Sequence, residues 1–146
     1  MTARIDRTVT SGTFSLDGGT WEVDNNVWVV GDDTECVVID APHDAEAIAE
    51  VVRGRTVRAI LLTHAHDDHV RVVHELQERV GGQIHLHPAD RVLWDQVHRG
   101  TEPDAELRDG QVIEVAGVAV EVLHTPGHAP GAVCFSVRAL GAVFTG

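Results

Sequence analysis

Positive charge is scarce in this 146-residue sequence. Eleven basic residues, every one an arginine, face 23 acidic ones, for a formal net charge of −12 at pH 7. We read the absence of lysine as the codon bias of a GC-rich genome. The missing basic run is chemical: an acidic surface repels phosphate backbones, which argues against a nucleic-acid partner. No apolar stretch approaches the ~20 residues that cross a bilayer, and Met1–Arg7 shows no apolar leader or cleavage-like site. These absences lead us to expect a cytoplasmic protein without a membrane partner. Cysteine is nearly missing as well. Cys36 and Cys134 stand far apart in strand-like surroundings, so we expect two buried, inert thiols in a reducing compartment. No Ser or Cys motif suggests a side-chain nucleophile. What remains is ordinary for one globular domain: 43% hydrophobic residues and a mean hydropathy of −0.03.

The informative stretch runs from Ile60 to His69, Ile-Leu-Leu-Thr-His-Ala-His-Asp-Asp-His. An apolar run leads into residues that ligate metals. In extended backbone, side chains two apart point the same way, so His64 and His66 can converge while the small Ala65 faces away. Asp67 or Asp68 is placed to cap a following helix, and His69 continues the cluster. Imidazole and carboxylate together suit zinc, and also iron or manganese. A strand tip supplies only part of a coordination shell. The best partner is Val122–His128, where His124 ends an alternating apolar run and Pro126-Gly127 turns the chain.

Elsewhere the pattern alternates weakly over 9–16, signals a turn at Asp17-Gly18-Gly19, and predicts strands over 21–23, 26–30, 36–40, 57–62, 83–87, 112–115, 118–123, 132–137 and 142–144. Helices are expected over 44–53, capped by Asp44, over 69–80, and over 88–97 with Val92, Leu93 and Val97 inward and Trp94 near a pocket rim; 98–104 reads as loop. His43 is expected to be exposed and Arg71 to point to solvent or to a pocket mouth. His74 is read as a surface or half-buried residue, and His85 and His87 as non-ligands because no carboxylate-rich loop follows them. Asp40 is either a turn or helix cap or a carboxylate that orients the metal loop.

T-H-x-H-x-D-H at Thr63–His69, followed by H-T-P-G-H at His124–His128, resembles the metallo-β-lactamase-fold hydrolases, and within them the glyoxalase II-like (hydroxyacylglutathione hydrolase-like) branch. The resemblance spans Asn26 to Gly146. It implies an α/β (α+β) chain forming the N-terminal portion of an αββα sandwich, a single domain over 1–146 that stops before the family's bridging aspartate. It also implies that His64, His66 and His124 hold a first metal, that Asp68 and His69 contribute to a second, and that His128 supports. The implied cofactor is one or two Zn2+ ions, with Fe or Mn as substitutes. The implied activity is hydrolysis of a thioester or similar small acyl substrate by metal-bound hydroxide, with Asp68 orienting the nucleophile. Rival readings are a persulfide dioxygenase-like enzyme with one iron, a lactonase or β-lactamase, and an inactive metal-binding remnant. The missing C-terminal half is expected to leave core surface exposed or covered by a second copy, as in a homo-oligomer.

Overall fold

A computed structural model describes residues 2–16 and 18–146, so the turn signal at Asp17 lies outside the described residues. Two sheets form the frame. The first contains β1 (Arg4–Leu16), β2 (Gly19–Gly31), β3 (Glu35–Ile39), β4 (Thr56–Leu61), β5 (Gln83–Leu86) and β6 (Ala105–Glu106), in that spatial order. β1, β2 and β3 pair antiparallel, and β3 to β6 pair parallel. The second sheet is wholly antiparallel, β10-β9-β8-β7, built from β7 (Val112–Val115), β8 (Val118–His124), β9 (Val133–Val137) and β10 (Ala142–Phe144).

The parallel pairs need crossovers, and helices supply them. α1 (Ala45–Val52) joins β3 to β4, α2 (Asp67–Val70) and α3 (Val73–Val80) join β4 to β5, and α4 (Arg91–Val97) follows a 3-10 turn at Pro88–Asp90. Asp44 caps α1 as expected, its Oδ1 accepting the Ala47 N–H at 3.1 Å.

The apolar run of β4 is explained by burial on both faces. Ile60 and Leu62 join Val29, Val38, Ile48, Leu76 and Trp94 in a core against the helices. Ala59 and Leu61 face the opposite way, into a core with Val37, Ile39, Val120, Val122 and Phe135 between the sheets. The layers are therefore helix, sheet, sheet. Among the described residues no helix covers the outer face of the second sheet, where Val112 and Val143 are exposed. No helix of the described residues is long and apolar enough to cross a membrane.

Several expectations need correction. The weak alternation over 9–16 and the short strand over 21–23 belong to one long hairpin of two 13-residue strands. The helix expected over 69–80 starts at Asp67 and breaks at Arg71-Val72. There Val72 N–H donates to Ala41 O, while Ala41 N–H donates to His69 O; the chain after β3 ties down the first turn and interrupts the ladder. Neither Asp67 nor Asp68 is the cap, since both lie inside that turn and His66 occupies the cap position. Trp94 is fully buried, its Nε1–H donating to Thr101 O at 3.0 Å, and Val92 is exposed. His43 is half-buried rather than exposed; Cys36 is buried as expected, which pushes its thiol up to about 11, but Cys134 is only half-buried.

Candidate metal centre

β4 ends at Leu61, and Thr63 and His64 turn inward behind it, both buried. One carboxylate organises this turn. Asp40, with φ of 69° at the end of β3, accepts the Thr63 N–H at Oδ1 (2.7 Å) and the Thr63 Oγ1–H at Oδ2 (2.8 Å). Asp40 Oδ2 also bonds His69 Nδ1 at 2.8 Å. Of the two readings of Asp40, the contacts give the one in which it orients the loop.

The network assigns a tautomer. Thr63 has one hydroxyl proton, and Asp40 takes it, so Thr63 Oγ1 accepts from His64 Nδ1–H at 3.0 Å. His64 Nε2 is left with its lone pair, buried and without a hydrogen-bond partner. Burial, followed by neighbouring His69, pushes the His64 pKa down to about 3, so the ring is neutral at neutral pH. An orphaned imidazole nitrogen of this kind suits a cation.

Two more rings meet it. His66 Nδ1 lies 3.1 Å from His128 Nε2, and the His64, His66 and His128 ring centroids stand 4.7–4.9 Å apart in edge-on pairs. Ligand atoms of these three all lie within 4.8 Å of one another. Tetrahedral zinc with bonds of ~2.05 Å would place nitrogens about 3.3 Å apart, so small side-chain rotations bring the set to coordination distance. Burial lowers the His66 pKa as well, which keeps its lone pair available.

The expected partner His124 is elsewhere, and the structure brings His128 to the cluster in its place. The His124 ring stacks on His87 at 4.0 Å, and its Nε2–H donates to Pro130 O at 3.0 Å. The reason is strand order. β9 lies over the metal loop, its first residue Val133 donating N–H to Thr63 O at 2.8 Å. β8 lies one strand further away, and the loop after Pro126-Gly127 carries His128 back over the site. The turn that made His124 attractive is what delivers His128. His85 and His87 stand apart from the group, with His87 Nδ1 accepting the Ala89 N–H.

Asp68 and His69 are adjacent, Asp68 Oδ2 standing 3.6 Å from His69 Nε2, and the His69 ring is 4.2 Å from that of His64. Burial works against a charged His69, but Asp40 and then Asp68 outweigh it and raise the pKa above the usual value. Asn25, which sequence reasoning passed over, donates Nδ2–H to both Asp68 O (2.9 Å) and Asp68 Oδ2 (3.0 Å). Arg71 takes neither expected course cleanly: it pairs with Asp67 and also reaches Thr13 O on the hairpin. At the other end of the chain, a Cβ on Gly146 would sit 2.5 Å from Thr63 Oγ1 and 2.6 Å from His64 Nδ1. The stretch after β10 therefore runs to the site.

A cavity of about 740 Å³ opens beside these groups, with Phe14, Trp28 and Phe144 as apolar wall and Asn25, Asp68 and His128 among its polar lining. The Phe14 ring, from the long hairpin, stands 5.9 Å from that of His66. A concave, largely apolar pocket with a few convergent polar groups is the usual form of a small-molecule site.

Known proteins resemble the chain in sequence and in fold. The chain is 33% identical over 136 residues to an atrochrysone carboxyl ACP thioesterase of Aspergillus chevalieri, covering 88% of this chain and 41% of that one. It is 32% identical over 110 residues to a hydroxyacylglutathione hydrolase of Fuscovulum blasticum, covering 75% of this chain and 41% of that one. The chain spans about half the length or less of the curated relatives it matches. Among solved structures, the B3 metallo-beta-lactamase BLEG-1 superposes with a TM-score of 0.72 at 25% identity, covering 94% of this chain and 71% of that one. The model of the metallo-beta-lactamase superfamily matches residues 20–146. With that match over most of its length, the chain belongs to the metallo-beta-lactamase superfamily.

Proposed function

We propose that this chain carries the metal-holding part of a metal-dependent hydrolase acting on a thioester or similar small acyl compound. The observation that carries the reading is the meeting of three imidazoles, His64, His66 and His128, around the unpartnered Nε2 of His64. The three would hold one divalent ion, zinc first, with iron or manganese as chemically suitable substitutes. Such an ion would supply hydroxide at neutral pH and polarise an acyl carbonyl.

The rest falls to the chain's own groups. Thr63 and Asp40 hold the His64 proton on Nδ1 and keep Nε2 free. Asp40 likewise holds His69, and Asn25 holds Asp68. The remaining acceptor capacity of Asp68 faces the cavity, where it can take a hydrogen of the attacking water and orient it. Asp68 and His69 together offer a second ion a partial set of donors. The wall of Phe14, Trp28 and Phe144 suits an apolar acyl group. The likeness to the Aspergillus chevalieri thioesterase and the Fuscovulum blasticum hydroxyacylglutathione hydrolase favours acyl transfer to water.

The complete open reading frame, loaded with zinc, should hydrolyse a chromogenic thioester, and Asp68→Asn should lower kcat by about 10²–10⁴-fold, the usual range for a positioned acid–base group. Iron content together with sulfur-dependent oxygen uptake would sink the hydrolase reading and favour a dioxygenase. Binding of zinc without turnover of any thioester, lactone or β-lactam would leave an inactive metal-binding domain.

A further inference from the structure

We propose that Asp90 is the positioning residue of the metal centre: one buried carboxylate locks the two histidine-bearing loops into register with each other. This rests on the metal reading above and adds a residue that no ligand motif contains. Asp90 closes the 3-10 turn Pro88–Asp90 and has no solvent exposure. Its Oδ2 accepts the N–H of Ala65, the residue between His64 and His66, at 2.7 Å. Its Oδ1 accepts the N–H of Gly131, three residues after His128, at 2.6 Å. The two loops leave different sheets, and both close on the same side chain.

The fit is tight on the His128 side. A Cβ on Gly131 would lie 2.6 Å from Asp90 N and 2.9 Å from Asp90 Cβ, so the loop packs on the aspartate as closely as a glycine allows. The turn that presents Asp90 is itself braced by His87, whose Nδ1 accepts the Ala89 N–H. Asp40 orients His69 and, through Thr63, His64, but it does not reach the His128 loop. Asp90 is the side chain that joins both loops through their backbone. Supporting partners of this kind typically change metal affinity by ~10–100-fold.

Asn in place of Asp90 keeps the size but turns an N–H donor toward one of the two backbone donors, so one half of the clamp opens. Zinc affinity, measured by competition with a chelator on folded protein, should fall by about 10–100-fold in Asp90→Asn. In a His128→Ala background, where that loop carries no ligand, the same change should cost less than about threefold. A purely structural role would lower the melting temperature without this dependence on His128. Gly131→Ala, which lifts the loop off Asp90 and leaves the carboxylate intact, should also weaken zinc binding, and it serves if Asp90→Asn fails to fold. A folded Asp90→Asn or Gly131→Ala protein with wild-type zinc affinity would overturn the role of Asp90 alone. Wild-type protein with no measurable zinc affinity would overturn the metal reading itself, and this role with it.

Discussion

At the scale of single residues, the centre depends on which nitrogen faces which partner. His64 is committed by Thr63 and Asp40 to offering Nε2, and burial keeps it neutral. Its folded pKa, about 3, lies below the free imidazole value of ~6.5. Between those values the unfolded chain binds a proton that the folded chain refuses, so stability is present above ~6.5 and is lost as pH falls. Burial lowers His43, His66, His74, His85 and His87 in the same direction, while His69, raised by Asp40 and Asp68, stabilises at low pH and loses that contribution as pH rises through its folded value. The urea midpoint of the metal-free protein should therefore drop between pH 6.5 and 4, and His64→Gln should flatten part of the drop. His64, His66, Asp68 and His69 were legible in the sequence because they share one short loop after one apolar strand. His128 was expected only as a support and not as a member of the cluster, because the strand offset that carries its loop back over the site is a property of two paired sheets. His128→Ala should raise the zinc dissociation constant by at least ~100-fold, more than the loss of a supporting partner. His124→Ala, which loses only a stack on His87 and a bond to Pro130, should change it by less than about threefold.

At the scale of elements, β4 sets the position of everything else. Its neighbours β3 and β5 are parallel to it, and its side chains alternate between two cores. Ile60→Ala and Leu61→Ala should each cost about 2–5 kcal/mol in urea melts, one by opening the helix-facing core and the other by opening the core between the sheets. Tolerance of either change, at a cost below about 1 kcal/mol, would contradict burial on two faces. This strand was easy to recognise from its continuous apolar run. The β1–β2 hairpin was recognisable only in part, from the weak alternation over 9–16, the turn signal and a short continuation at 21–23, since its far half has few buried positions. Its length comes from cross-strand pairing, which no local pattern displays. Yet that hairpin places Phe14 beside His66 and Asn25 against Asp68, so part of the site was hidden along with it. The break between α2 and α3 escaped notice for a similar reason: Ala41, distant in sequence, competes for the helix backbone.

At the scale of the molecule, a helix layer and two sheets meet so that strand ends and loops from both sheets converge at one edge. The candidate metal centre sits there because the loop after β4 meets β9 at Thr63 and Val133, and because Asp90 reaches the loops on either side. The helix, sheet, sheet layering is the part of the αββα sandwich that the motif resemblance implied, and the family match over 20–146 contains the span expected from Asn26 to Gly146; the clustering of the three imidazoles required the packing. Anomalous diffraction at the zinc edge from crystals soaked in zinc is the decisive test of the three-histidine site. The expected result is a peak bonded at ~2.0–2.1 Å to Nε2 of His64, Nδ1 of His66 and Nε2 of His128. A peak bonded to His124 in place of His128, or crystals with these three rings intact and no peak between them, would contradict it.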